Sequence, residues 1–215
     1  MKLYGYFRSS ATYRVRIALG LKGIAWESVL VDLRAPVSAQ HAPGFRAVNP
    51  HGLIPVLVDG EQVLTQSLAI IEYLEETQPQ PPLLPRLPAQ RAAVRALALA
   101  VACDIHPLNN LRVLDYLRAE LEADQGAVQH WYAHWIAQGF AALERDARRL
   151  GDGRHMYGSS VTLADVCIVP QMANARRFGC DLAPYPTLCA VCAHLESLPP
   201  FARAAPAAQP DAASA

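Results

Sequence analysis

The sequence predicts an α/β domain over residues 1–80 and an all-α domain over residues 88–215. Before residue 80, short apolar segments alternate with helical segments in the order β-α-β-α-β-β-α, which is typical of an α/β sheet ending in an antiparallel hairpin. A proline-dense linker follows at residues 81–87. Proline cannot continue a helix and it stiffens a linker. Beyond the linker, apolar residues recur at helical spacing.

Each element of the α/β half follows from its local pattern. Runs rich in apolar and β-branched residues predict the strands, and apolar residues three and four apart predict the helices. Asp59-Gly60 is the dipeptide favoured in a type I′ hairpin, and Asn49-Pro50 with His51-Gly52 marks a turn. The predicted strands are Lys2–Tyr6, Trp26–Leu33, Val56–Val58 and Gln62–Thr65, and the predicted helices are Ser10–Lys22, Phe45–Val48 and Ser67–Thr77.

The helical half is divided by breakers and caps. Pro107 should end or kink the first helix, and Thr162 with Asp165 fits the start of a later one, so Asp165 is interpreted as a structural cap. From Ala204 onward the chain is rich in Ala and Pro and is predicted to be a loose tail. The predicted helices are Gln90–Cys103, Asn110–Leu121, Val128–Leu150, Leu163–Phe178 and Thr187–Leu198.

Composition excludes several classes of protein. Lys plus Arg and Asp plus Glu each total 19, so the net charge is zero and no basic patch indicates a nucleic-acid partner. No apolar run reaches membrane-spanning length, and we see no signal peptide. Five scattered cysteines fit reduced thiols in the cytoplasm better than disulfides. Cys189 and Cys192 have no second pair with which to bind zinc, and no metal site is predicted.

The chain is organised around a turn with three hydroxyl groups, from Arg8 to Thr12, between the first strand and the first helix. The first N–H groups of a helix lack partners within the helix, and the helix dipole adds partial positive charge there. Ser9, Ser10 and Thr12 can therefore cap this end or bind an anion. On local evidence alone, the plain cap is the simpler interpretation.

Several stretches together resemble the zeta class of glutathione transferases over nearly the whole chain. They are Arg8–Leu19, Asn49–Pro55, Gln66–Leu74 and Asp104–Asn110, with Arg176–Phe178 and Asp181–Pro186 in addition. The resemblance implies the glutathione transferase fold, in which a thioredoxin-like N-terminal domain precedes an all-α domain. It also implies an enzyme that uses glutathione as cofactor and forms a homodimer, while the composition predicts no nucleic-acid and no membrane partner.

The same resemblance assigns glutathione contacts. It makes Ile54 the residue before a cis proline, with backbone groups that pair with the cysteinyl part of glutathione. Gln66 and Ser67 suit the γ-glutamyl end, and Gln40, or less well His41, the glycyl end. Ser9 is placed beside the sulfur, where a hydroxyl donor favours the thiolate. Ser10 and Thr12 remain alternatives, and many members have cysteine where this chain has Ala11.

The resemblance also implies an activity and a substrate. Zeta-class members include cis–trans isomerases of maleyl keto acids, in which glutathione thiolate adds to the conjugated double bond, the bond rotates and the thiolate leaves. Such a substrate has two carboxylates, and arginine binds carboxylates bidentately. Arg8, Arg177 and Arg112 are the candidate anchors, and His106 and Asn110 are candidate contacts to glutathione or substrate.

Maleylacetoacetate, an intermediate of tyrosine breakdown, is favoured over maleylpyruvate. The alternatives are a broader glutathione transferase or α-halo acid dehalogenase, and a non-catalytic binding protein with the same fold. Arg14 and Arg16 lie two residues apart, do not share a helix face and are interpreted as structural, although one of them can hold the catalytic turn.

Overall fold

The structure is a computed structural model that describes residues 1–34, 36 and 38–212. Within these residues the chain forms two compact units. One unit consists of residues 1–82 together with the segment that begins at Leu198. The other consists of Leu83–Ser197. Each unit is described by itself.

The first unit contains a four-stranded sheet in the order β2-β1-β3-β4, as far as the described residues show. β1 runs parallel to β2 and antiparallel to β3, and β3 and β4 form a hairpin. The second strand is shorter than predicted, because only Glu27–Leu30 pairs with β1. The strands are β1 (Lys2–Gly5), β2 (Glu27–Leu30), β3 (Val56–Asp59) and β4 (Gln62–Thr65).

The hairpin turn differs from the predicted one. Asp59 already pairs with Gln62, so the loop is Gly60-Glu61 rather than Asp59-Gly60. Gly60 has a φ of 58°, whereas Glu61 is not among the residues with positive φ. A type I′ turn requires positive φ at both central residues, so the type I′ prediction was wrong. The prediction of a hairpin was confirmed.

Residues 1–82 of the first unit also contain the helices α1 (Ser10–Leu21), α2 (Pro43–Val48) and α3 (Ser67–Thr77). α1 packs against α3, and its residues from Ser10 to Leu19 are all buried. α2 contributes Phe45 to a core cluster with Val31 and Val56. Gly23, with a φ of 66°, follows the end of α1, as expected of a glycine after a helix.

The C-terminal segment packs against α1. It contains α9 (Pro199–Ala204) and 3₁₀ turns at Pro206–Ala208 and Pro210–Ala212. The prediction of a loose tail was therefore wrong for the described residues of this segment. Its composition gave no sign that the side chains of α1 bind its backbone. Residues 213–215 lie outside the described part of the chain.

The second unit is helical. α4 continues as a π-helix over Ala100–Ile105, and the helical run ends before Pro107, as predicted. The other predicted helices are confirmed with ends that differ by a few residues. The helices are α4 (Pro88–Leu99), α5 (Leu111–Ala119), α6 (Gln125–Leu150), α7 (Leu163–Arg177) and α8 (Pro186–Glu196).

Asp165 is a structural cap, as the sequence indicated. Its carboxylate accepts hydrogen bonds from the backbone N–H of Thr162 at 2.7 Å and of Met156 at 2.8 Å. The Thr162 hydroxyl donates to it as well, at 2.9 Å. Burial raises the pKa of Asp165 to about 6, although these hydrogen bonds act in the opposite direction. The donors around this carboxylate belong to the start of α7 and the loop before it.

The cysteines are free thiols, including Cys189 and Cys192. Within the described residues, no group of His, Cys, Asp and Glu has the arrangement needed to hold a metal ion. No helix in that part of the chain has both the length and the apolar character needed to cross a membrane.

Candidate functional site

The turn before α1 leads into a helix N-terminus that is capped by Ser9. The Ser9 N–H donates to Tyr6 O at 3.0 Å and closes the turn. Ser9 is the N-cap of α1, and its Oγ accepts a hydrogen bond from Thr12 N at 3.2 Å. The first turn of α1 contains no acidic residue. The partial positive charge of this helix end is therefore not neutralised by its own first turn, and the end favours an anion.

The three hydroxyl groups of this turn differ in exposure. Ser10 is 5% exposed and Thr12 is 2% exposed, whereas Ser9 is half-buried. Thr12 packs against Gly5, where any side chain would collide with the Thr12 methyl group. Its Oγ1 has no partner among the described residues. Ser9 is thus the most exposed hydroxyl of the turn, and Thr12 lies inside the fold.

Arg8, the predicted carboxylate anchor of the first unit, is exposed. Its guanidinium carbon lies 4.8 Å from the centroid of the Phe7 ring, a cation–π contact that orients the side chain. The guanidinium therefore lies at the same turn as Ser9.

The loop before β3 is organised by Asn49. The Asn49 side chain is buried, and its Nδ2 donates to Leu53 O at 2.7 Å while its Oδ1 accepts from His51 N at 3.1 Å. The Ile54–Pro55 peptide bond is cis, as the sequence analysis expected. Sequence reasoning interpreted Asn49 only as part of a turn. An Asn two residues before a turn N–H was the available signal for this Asx-type bond.

The start of α3 combines a strained residue with a buried cation. Gln66 is exposed and has a φ of 67°, a region that favours glycine. Ser67 is 7% exposed, and its Oγ accepts a hydrogen bond from Arg14 Nη1 at 3.3 Å. Arg14 is itself 1% exposed. Arg14 thus brings positive charge to the helix end predicted to bind a carboxylate, a link that sequence reasoning missed.

Gln40 and His41 follow the segment in which positions 35 and 37 lie outside the described residues. The Gln40 side chain is buried, and its Oε1 has no partner in the described part of the chain. His41 is exposed, and its Nδ1 lies 3.4 Å from Arg46 Nη2. Gln40 therefore remains the better candidate of the two for a ligand contact.

The second unit contains the other predicted contacts. His106 is half-buried and directly follows the π-helix Ala100–Ile105, a feature often found at functional sites. Asn110 is the N-cap of α5, and its Oδ1 accepts from Arg112 N at 3.2 Å. This bond uses the amide oxygen of Asn110 and leaves its amide nitrogen as the group for a ligand. Arg112 is exposed.

Arg176 and Arg177 are neighbours with different surroundings. Arg176 Nη1 donates to both carboxylate oxygens of Glu196, at 2.6 and 2.9 Å. Arg177 instead lies over the Phe178 ring, 4.7 Å from its centroid. Phe178 in turn stacks on Tyr132 with ring centroids 3.7 Å apart. Burial raises the pKa of Tyr132, and the nearby Arg177 acts against this shift.

Comparison with known proteins identifies the fold. Residues 3–82 match the family described as glutathione S-transferase, N-terminal domain. A probable maleylacetoacetate isomerase of Vibrio cholerae is 53% identical over 210 residues, which cover 98% of this chain and 97% of that protein. A maleylpyruvate isomerase of a Ralstonia species is 50% identical over 217 residues, which cover 99% of this chain and 100% of that protein. Residues 3–82 thus form a glutathione transferase N-terminal domain.

Similar solved structures indicate which class of glutathione transferase the chain belongs to. A maleylpyruvate isomerase described as a bacterial zeta-class glutathione transferase has a TM-score of 0.95 and 49% identity, covering 98% of this chain and 99% of that one. Maleylacetoacetate isomerase of Methylobacterium extorquens AM1, solved with malonate and glutathione bound, has a TM-score of 0.94 and 43% identity, covering 99% of each chain. The chain belongs to the zeta class of glutathione transferases, and the predicted family and fold are confirmed.

The backbone of Gln66 gives a testable consequence. Gln66→Gly should raise the free energy of unfolding by about 1 kcal/mol, because glycine adopts positive φ without strain. The same substitution should weaken glutathione binding, because it removes a predicted contact to the γ-glutamyl end. Urea unfolding and glutathione titration measure the two effects.

Gln78→Gly is the matched control, because Gln78 is also exposed and has a φ of −131°. There the substitution should lower stability by a few tenths of a kcal/mol to about 1 kcal/mol, since it only increases the freedom of the unfolded chain. Equal loss of stability at both positions would show that Gln66 is not strained.

Proposed function

We propose that this protein is a glutathione-dependent cis–trans isomerase of a maleyl keto acid, with maleylacetoacetate as the first substrate to test and maleylpyruvate as the second. The observation that carries the proposal is the N-terminus of α1, capped by Ser9 and lacking an acidic residue in its first turn. This protein is also about half identical to two relatives, one named as an isomerase of maleylacetoacetate and the other of maleylpyruvate.

The described residues fit glutathione. Two helix N-terminal regions, at Ser9 and at Ser67, offer hydroxyl groups and the partial positive charge of a helix end to anionic groups. Buried Arg14 adds positive charge next to Ser67, and the buried Gln40 side chain leaves a polar atom unpartnered in the described part of the chain. When bound, glutathione supplies a thiolate that adds to the conjugated cis double bond and leaves again, and this permits the bond to rotate.

Ser9 and the N-terminus of α1 hold the sulfur as an anion. A thiol is mostly protonated at neutral pH, and both a hydroxyl donor and a helix N-terminus lower its pKa. Ser9 is the half-buried hydroxyl of the turn, so it suits this contact better than the buried Ser10 and Thr12. The helix end acts through fixed donors, which need no reorganisation when charge develops.

Arginines bind the carboxylates of the substrate. Arg177 is exposed, and its guanidinium is oriented by the Phe178–Tyr132 stack. Arg8 is exposed and precedes Ser9 in the turn, and in this proposal it binds a carboxylate of the substrate at that end. Arg112, His106 and Asn110 are secondary contacts in this proposal. The Methylobacterium relative was solved with malonate, a dicarboxylate, and with glutathione bound, which supports a substrate of this chemistry.

The proposal includes a cellular setting. Free cysteines, among them the exposed Cys103, fit a reducing compartment, so we place the protein in the cytoplasm, in the breakdown of aromatic amino acids. We also propose a homodimer. Exposed Leu87, which precedes α4, and exposed Leu99, its last residue, offer apolar surface for such an interface. Sedimentation of the purified protein measures the oligomeric state.

An isomerisation assay tests the function. Freshly prepared maleylacetoacetate and maleylpyruvate are each offered with and without glutathione to the wild type, Ser9→Ala, Ser9→Thr and Ser10→Ala, and the conversion is followed by ultraviolet absorbance. We expect glutathione-dependent conversion that Ser9→Ala reduces by about tenfold to a hundredfold and Ser9→Thr partly keeps, since one charge-assisted hydrogen bond is lost.

Ser10→Ala should stay close to the wild type. If Ser9→Ala still converts the substrate and Ser10→Ala does not, the assignment of the sulfur contact to Ser9 is wrong and Ser10 makes that contact. If neither substrate is converted while glutathione still binds, the isomerase assignment is wrong and the halo-acid transferase chemistry is the next to test.

Arg176 and Arg177 provide a matched pair of variants. Arg177→Ala should lower kcat/KM for the substrate by the equivalent of roughly 1.5–3 kcal/mol, the value of one charge-assisted hydrogen bond. Glutathione affinity should stay nearly unchanged. Arg176→Ala should leave both the use of the substrate and the affinity for glutathione close to the wild type, because Arg176 is bound to Glu196. Steady-state kinetics with each ligand varied in turn measures this. Equal losses for substrate and glutathione in Arg177→Ala would show that its role is misassigned.

A further inference from the structure

The turn that leads into α1 is held by the C-terminal segment of the same unit. The Phe7 N–H donates to Asp211 Oδ2 at 2.9 Å. The Phe7 carbonyl oxygen accepts from Arg16 Nη2 at 3.0 Å. Both polar backbone groups of Phe7 are thus bound by side chains, two residues before Ser9. Fixing Phe7 fixes the start of the turn that the Ser9 N–H closes onto Tyr6 O.

Arg16 joins the turn to the C-terminal segment. Its Nε donates to Ala204 O at 2.9 Å, while its Nη2 binds Phe7 O. The side chain is 3% exposed, and burial lowers its pKa to about 10, with Asp211 acting in the opposite direction. The guanidinium therefore stays charged at neutral pH. A charged donor in a buried place makes strong hydrogen bonds and is costly to leave unpaired.

The segment reaches the turn along the length of α1. Tyr13 Oη donates to Phe201 O at 3.4 Å, and Gly20 lies against Pro200. These contacts, with that of Arg16 to Ala204, attach α9 to α1. Asp211 then extends the attachment beyond the helix to the backbone of the turn.

Among the described residues, Asp211 is the residue through which the far end of the segment binds the turn. A cavity of about 160 Å³ lies at this end, lined by Gln209, Pro210 and Asp211 on one side and by residues such as Leu3, Thr12 and Leu30 on the other. The hydrogen bond from Phe7 N to Asp211 therefore joins the two sides of this cavity.

Other charged groups lie near Asp211. Burial raises the pKa of Tyr6, with Arg8 and Arg34 lowering it and Asp32 and Asp211 raising it. Arg34 is bound to Asp32, with Nη2 to Oδ2 at 2.7 Å. Arg16, in contrast, binds the carbonyl oxygen of Phe7, the residue whose N–H donates to Asp211.

We propose that Asp211 is a positioning residue for the reaction, because together with Arg16 it fixes Phe7 and thereby the place of Ser9 and the N-terminus of α1. The inference rests on the proposed function, in which that helix end holds the glutathione sulfur as an anion. Displacement of the turn by even a fraction of an ångström weakens hydrogen bonds to the sulfur, since their strength depends steeply on geometry.

The first test measures the pKa of the glutathione thiol on the protein, from thiolate absorbance as the pH is raised. In the wild type it should lie below that of free glutathione. Asp211→Ala should raise it by about half a unit to one unit, which is a roughly three- to tenfold smaller thiolate fraction at low pH. Asp211→Asn should restore part of the shift, because its amide oxygen can still accept from Phe7 N. Turnover should fall by the same factor at low pH and recover at high pH.

Asp59→Ala is the matched control. It removes a half-buried carboxylate from the same unit, whose partner is the Tyr73 hydroxyl at 2.8 Å. This variant should keep the wild-type thiol pKa. A shift equal to that of Asp211→Ala would show that any lost carboxylate of this unit has the same effect, and would overturn the proposal.

Hydrogen exchange of the Phe7 amide in the protein without glutathione gives a second measurement. It should speed up in Asp211→Ala, while the amides of Val15 and Ile17 inside α1 stay protected. Unchanged exchange at Phe7, or faster exchange with an unchanged thiol pKa, would overturn the positioning role. A wild-type protein that does not lower the thiol pKa at all would instead overturn the proposed function.

Discussion

The structure of the first unit depends on the enclosure of α1. Its residues from Ser10 to Leu19 are buried, and the helix packs against α3 and the C-terminal segment. A helix enclosed in this way cannot shift without disturbing close-packed neighbours on several sides. Its N-terminus is therefore a fixed set of backbone donors with Ser9 at its edge. Such a preorganised end suits an anion better than a mobile loop does.

Arg14 and Arg16 extend this enclosure to the ligand contacts. The two residues leave the helix in different directions, because residues two apart do not share a face. Arg14 binds Ser67 on α3, and Arg16 binds Phe7 and Ala204. One helix thus holds the region predicted to bind the γ-glutamyl end and the turn predicted to hold the sulfur. These hydrogen bonds offset part of the cost of burying two cations.

Local patterns predicted most of the fold, and non-local contacts account for what they missed. The hairpin, the helix Ser67–Thr77 and the Asp165 cap follow from periodicity, breakers and caps within a few residues. The contacts that were missed link residues far apart in sequence: 53 positions for Arg14 and Ser67, 188 for Arg16 and Ala204, and 204 for Phe7 and Asp211. Sequence patterns also listed three hydroxyl groups as candidates, and only packing against Gly5 separates Thr12 from Ser9.

The most direct test of the proposed catalytic cycle is to count thiols during turnover. The purified protein is given a maleyl keto acid in large excess over glutathione, and product and free thiol are measured together. A cycle in which the thiolate adds and then leaves predicts that the substrate runs to the trans product while the thiol concentration stays constant. Loss of thiol in step with the substrate, with a thioether as product, would contradict isomerisation and show a transferase.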